Sequence, residues 1–281
     1  MNQTDLTSLP DSPILRRDMT IPYLVSLIVA ALLFGLALAG LLAPAVVYPT
    51  GELQSAFATN DATSLMLALP VLLASVWLAW RGRLLGLLLW PGVLLYILYN
   101  TVAYLAALPV GLVFGLNVVL TLLAVFAAVR VVLGIDAAAV RQRLTGRVPA
   151  RWAAATLLGL GLLFFARAAF TLGSAAASSA VLPASESATL VADLFAGLLW
   201  VAAGWLLWRR APLGFVLGAA VLFQAGLLFA GLLLFFLLQP LLTGVPFAAA
   251  DFLVVALMSL VVLLPLVGFV RGIIAAQSKH S

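Results

Sequence analysis

Apolar residues run along this chain in eight long blocks, separated by short breaks that carry charged, polar, glycine or proline residues. The blocks cover residues 21–47, 63–80, 84–104, 110–133, 152–172, 188–208, 213–238 and 250–270. A helix needs about 20 apolar residues to cross a hydrocarbon core about 30 Å thick. The blocks are of that order and lack the polar alternation of a membrane strand. The pattern predicts an all-α, polytopic membrane helix bundle of eight transmembrane helices. One rival reading concerns the first block, where Arg16, Arg17, an apolar run and Ala37-Leu38-Ala39 follow the order of a secretory signal peptide. Its apolar run is far longer than the roughly 7–15 residues of a signal core, which favours a span.

Composition points the same way. Of the 281 residues, 65% are hydrophobic and 8% charged, against about 45–50% and about 25% in soluble domains. Too few polar side chains exist to cover a water-facing surface, so soluble enzymes, disordered chains and disulfide scaffolds are excluded. The chain has no cysteine and one histidine, His280, in a polar tail. Thiol chemistry, cysteine-ligated metals and paired-histidine haem are thereby excluded. No P-loop or H-E-x-x-H segment is present. The expectation is a chain with no cofactor, no metal site and no enzymatic constellation.

The net charge of +5 is explained by where the basic residues fall. With a cytoplasmic N-terminus, every lysine and arginine except Arg167 lies on the inner side, and the outer loops hold none. This asymmetry fixes orientation and places both termini in the cytoplasm. It also gives the inner face an affinity for anionic lipid headgroups, so the lipid bilayer, not nucleic acid, is the partner. The implied organisation is a tail over 1–20, a first four-helix half over 21–133, a basic connector over 134–151, a second half over 152–270 and a tail over 271–281. The connector reads as an amphipathic piece on the inner surface. Residues 49–61 and 173–186 read as simple outer connectors.

A shift of 128 residues places Trp77-Leu78-Ala79-Trp80-Arg81 on Trp205-Leu206-Leu207-Trp208-Arg209, and Leu85-Gly86 on Leu213-Gly214. Four spans per half make both halves enter the membrane in the same sense, a 4+4 parallel internal repeat about an axis along the membrane normal. Against it stands the tendency of any helix leaving the inner interface to end in tryptophan and arginine.

Polar side chains within spans are costly and mark candidate sites. Arg167 lies roughly 22 Å along the fifth block from its inner end, and Asp193 roughly 8 Å below the outer end of the sixth. Opposite charges at matching depth on consecutive helices suggest an ion pair. Tyr96, Tyr99, Asn100 and Tyr104 share one helical face, beyond a proline at Pro91 that is expected to kink the helix. Tyr104 reads as an interfacial belt residue. Asn117 and Gln224 complete the uncharged set. Asp251 caps the start of the last span.

The run Leu88-Leu89-Trp90-Pro91-Gly92-Val93-Leu94-Leu95-Tyr96-Ile97-Leu98-Tyr99-Asn100, after Arg81-Gly82-Arg83, resembles a pattern in uncharacterised bacterial multi-pass membrane proteins. The resemblance covers the second and third spans, implies a bacterial inner-membrane setting, and brings no activity or site residue. Two functions are consistent with the sequence. One is a noncatalytic membrane scaffold, accessory subunit or small-ligand binder, with a membrane-protein partner or small-molecule ligand. The other is a carrier whose outer-half cavity is built from Asn100, Asn117, Arg167, Asp193 and Gln224.

Overall fold

The structure is a computed structural model that describes residue 15 and residues 17–277; Arg16, Lys279 and His280 lie outside the described residues. Eight helices are long and apolar enough to cross a membrane: α1 (Thr20–Leu42), α2 (Gly51–Trp80), α3 (Leu84–Ala107), α4 (Leu112–Gly134), α5 (Ala150–Ser178), α6 (Ala184–Trp208), α7 (Pro212–Thr243) and α8 (Ala249–Gln277). No strand occurs among the described residues; one isolated bridge joins Leu15 to Ile135. The chain is a multi-pass membrane protein.

The helices are apolar around most of their circumference, and packing selects their small residues for the interior. On α1 the buried stripe is Ser26, Val29, Ala30, Leu33, Ala37 and Gly40, a spacing of three and four that keeps one face inward. Between α5 and α6, Gly161 and Gly197 face each other's carbonyl oxygens, so that a Cβ on either would stand 2.8–2.9 Å from that atom. With no hydrophobic drive between helices in lipid, such close backbone approach maximises dispersion contacts.

The pairwise packing runs in parallel through the two halves. In the first, α1 packs on α2 and α4, and α3 on α2 and α4; in the second, α5 packs on α6 and α8, and α7 on α6 and α8. Across the halves α3 packs on α7 and α6, and α7 returns to α2. The turns that follow α2 and α6 match in detail. The Arg81 guanidinium lies 4.9 Å from the Trp77 ring and that of Arg209 lies 5.3 Å from Trp205. Arg83 N donates to Leu78 O and Ala211 N to Leu206 O, both at 3.0 Å. Gly82 and Arg210 both adopt left-handed backbone, with φ of +70° and +53°. Gly86 abuts the backbone of Leu78 and Ala79, and Gly214 that of Leu206 and Leu207. Gly92 of α3 lies against the carbonyl of Ala220 of α7, two positions 128 residues apart.

Both ends of the described chain meet the same connector. Met19 touches Gly134, and Gly272 touches the Arg147 carbonyl. Within that connector Asp136 caps the short helix Ala137–Leu144 by accepting from Ala138 N and Ala139 N at 2.9 and 3.1 Å. That helix buries Val140 and Leu144 and packs beneath α7 and α8. It is therefore held against the bundle.

Two sequence expectations are corrected. Of the expected connector 49–61, residues 51–61 are helical, because α2 starts at Gly51, where the Thr50 side chain accepts from Leu53 N at 3.2 Å and caps the helix. The fifth span likewise continues to Ser178, leaving only residues 179–183 between α5 and α6. Pro91 lies inside α3, which runs from Leu84 to Ala107.

Candidate functional site

The polar residues of the spans form three separate groups. The first lies among α1–α4, near the end of the bundle away from Trp80, and centres on Asp61, which is 4% exposed. From the end of α2 at Trp80, Asp61 is 19 residues along the helix, about 28 Å. Its carboxylate accepts from the Tyr104 hydroxyl at 2.7 Å and from the Tyr48 hydroxyl. Asn60 donates to the Tyr104 oxygen at 3.1 Å. Phe57 packs edge-on to Tyr48 and lies 4.4 Å from the Tyr104 ring centre. Tyr104 is thus a buried ligand of the carboxylate rather than a belt residue.

A cavity of about 20 Å³ opens beside this carboxylate, enough for a single water-sized particle. Asp61, Ser64, Asn100, Thr101 and Asn117 supply its polar lining. The amides of Asn100 and Asn117 each donate back along their own helices, to Tyr96 O at 3.1 Å and Val113 O at 3.0 Å. The Thr101 hydroxyl donates to Leu98 O at 3.1 Å. Immediately after Asp61, α2 widens into a π turn over Ser64–Ala68, a local irregularity common at functional sites.

The second group joins the halves. Arg167 Nη1 of α5 stands 3.2 Å from Asp193 Oδ2 of α6, and the Tyr99 hydroxyl of α3 donates to Asp193 Oδ1 at 2.8 Å. Asp193 is 1% exposed, whereas the Arg167 side chain is 56% exposed. The carboxylate is the fixed member and the guanidinium reaches it from the bundle surface.

The third group is buried toward the middle of the bundle. The Trp200 indole N–H donates to Gln224 Oε1 at 2.6 Å, linking α6 to α7. A second buried indole, that of Trp90 on α3, donates to Ser26 Oγ of α1 at 2.9 Å and stacks on Tyr23 at 4.8 Å. Tyr96 is buried, with its hydroxyl against Gly231 of α7.

Of the five residues expected around one cavity, Asn100 and Asn117 line it, while Arg167, Asp193 and Gln224 do not. Tyr99 belongs with Asp193 and Tyr96 packs on α7. Sequence reasoning missed Asp61, Tyr48 and Asn60. The available signal was the Thr50 cap followed by Leu53, Phe57 and Asp61 at four-residue spacing on one helical face. Compared with known proteins, the chain matches no protein-family model, no curated protein and no solved structure.

Proposed function

We propose that the chain is a noncatalytic scaffold or accessory subunit of a bacterial-type inner membrane, built as two parallel four-helix halves with both termini cytoplasmic. Its intramembrane polar groups serve to fix helix packing. One observation carries this reading: among the described residues, no buried side-chain nitrogen or oxygen lacks a hydrogen-bond partner. The partners are specific to neighbouring helices, as in Tyr99–Asp193–Arg167 and Trp200–Gln224. Ligand pockets for organic molecules span about 300–1,000 Å³, far above the roughly 20 Å³ at the polar centre beside Asp61; a groove of about 440 Å³ between α1 and α2 is lined mainly by apolar side chains such as Leu24, Leu27, Leu73 and Val76.

The parallel arrangement draws support from the matched turns and from Gly92 meeting Ala220. A residue that touches its own repeat equivalent stands on the twofold axis relating the copies, and this pair has the 128-residue offset of the tryptophan–arginine motifs. Parallel duplication is also a transporter trait, which keeps a carrier as the second reading.

The two readings differ in the sign of a stability change. Groups kept for function commonly sit at a cost in stability, so replacing them stabilises; groups kept for packing do the reverse. Purified Tyr99→Phe, Asp193→Asn and Gln224→Leu should each melt below wild type in detergent. Asp193→Asn melting above wild type would reject the packing role for that residue and favour the carrier.

A further inference from the structure

We infer that the cavity beside Asp61 is a binding site for a small monovalent cation of sodium size, held by Asp61, Ser64, Asn100 and Asn117. This goes beyond the packing role, because packing accounts for the tyrosine contacts of Asp61 and not for the cavity that its carboxylate lines.

Three observations converge. The first is the imbalance of charge: Asp61 is buried, and the groups that hydrogen-bond its carboxylate are the neutral hydroxyls of Tyr48 and Tyr104. The described ion pair in the spans, Arg167–Asp193, lies in another group. An ionised carboxylate in such surroundings is unfavourable unless a counter-charge offsets it or it takes up a proton, and a bound cation supplies the counter-charge.

The second is the chemistry of the lining. One N–H of each of the Asn100 and Asn117 amides and the Thr101 hydroxyl go to backbone carbonyls, and the tyrosine hydroxyls go to Asp61. The lining carries carboxylate, amide carbonyl and hydroxyl oxygens, the ligand set of a hard cation. One carboxylate suits a single positive charge. Among the described residues there is no group of three or more histidine, cysteine, aspartate or glutamate side chains able to hold a metal, which argues against a divalent ion.

The third is size and access. A cavity of about 20 Å³ takes one water-sized particle, and Val47 and Tyr48 of the α1–α2 connection are among its lining residues. The π turn at Ser64 lies against the same space.

The test is thermal unfolding of the purified full-length protein in detergent, at constant pH and constant ionic strength. Sodium, lithium or potassium chloride is exchanged against N-methylglucamine chloride. A ligand that binds only the folded state raises the midpoint progressively with its concentration. The expected result is a saturable upward shift with sodium, abolished in Asp61→Asn and moved to at least tenfold higher sodium in Ser64→Ala and Asn117→Leu. The last two variants keep the carboxylate and its tyrosine partners, so they report even if Asp61→Asn fails to fold. Identical midpoints in all four salts would overturn the proposal, as would a sodium shift that persists unchanged in Ser64→Ala and Asn117→Leu. An absent sodium effect leaves the packing role standing, since that role is read from Tyr99, Asp193 and Gln224.

Discussion

Removing Arg167 and removing Asp193 should have unequal and coupled effects. Asp193 is 1% exposed and accepts from Tyr99 at 2.8 Å and Arg167 at 3.2 Å. In Arg167→Ala the carboxylate stays buried with one donor. In Asp193→Ala the guanidinium, already 56% exposed at the side chain, can extend toward the lipid headgroups along its flexible stem. A hydrogen bond to a charged group contributes about 1.5–3 kcal/mol when well buried. Exposure of Arg167 reduces its share, and interhelical couplings measured inside bilayers average about 0.6 kcal/mol with a maximum near 1.7. The expected coupling is therefore about 0.5–1 kcal/mol for Arg167–Asp193 and about 1–1.5 kcal/mol for the less exposed Tyr99–Asp193 bond. Reversible unfolding by sodium dodecyl sulfate in mixed micelles, run on wild type, single variants and double variants, measures both. The double variant Arg167→Ala/Asp193→Ala should cost less than the two singles combined. Additivity within about 0.3 kcal/mol would refute the pair as an energetic unit.

Other outcomes follow from the same packing. Gln224→Leu leaves the buried Trp200 indole N–H without its acceptor and should cost about 1–3 kcal/mol; adding Trp200→Phe should recover part of that loss in the same titration. Gly92→Ala drives a Cβ into the Ala220 carbonyl, backbone against backbone, and should cost about 1–3 kcal/mol, whereas Ala at Gly35, which has open space around it, should be neutral or mildly stabilising. Arg210 holds a left-handed backbone at φ +53° where the matching turn has Gly82. Arg210→Gly should accordingly raise stability by about 1 kcal/mol; a clear loss in thermal midpoint would contradict the strain argument.

The spans were legible because hydropathy in lipid acts on whole helices, and blocks of that length admit few alternatives. The closeness of Arg167 and Asp193 was legible from helical rise alone, since both charges fall at one depth on consecutive helices, and the structure places them 3.2 Å apart. The Asp61 centre was not. The segment Gly51–Thr63 holds seven polar residues against five apolar ones besides Gly51, so hydropathy ends the span at Thr63 and leaves Asp61 in a loop. Its burial depends on the long-range approach of Tyr104 and on Tyr48 from the α1–α2 connection, which no local pattern encodes. Tyr104 misled for a related reason. A tyrosine near a helix end has the same sequence signature in a membrane belt as in a buried hydrogen bond, and only the neighbouring helix decides. Gln224 was legible as polar, but its partner Trp200 could not be chosen from the several tryptophans of the chain.

The central claim is that lipid surrounds eight helices whose two ends share the arginine-rich face. The chain has no cysteine, so single cysteines placed at Arg17, Gln277, Gly51 and Ser179 each report alone. Labelling of intact cells with a membrane-impermeant maleimide should modify the cysteines at 51 and 179 and spare those at 17 and 277 until the membrane is permeabilised. Modification of only one of positions 17 and 277 in intact cells would put the chain ends on opposite faces and contradict the account.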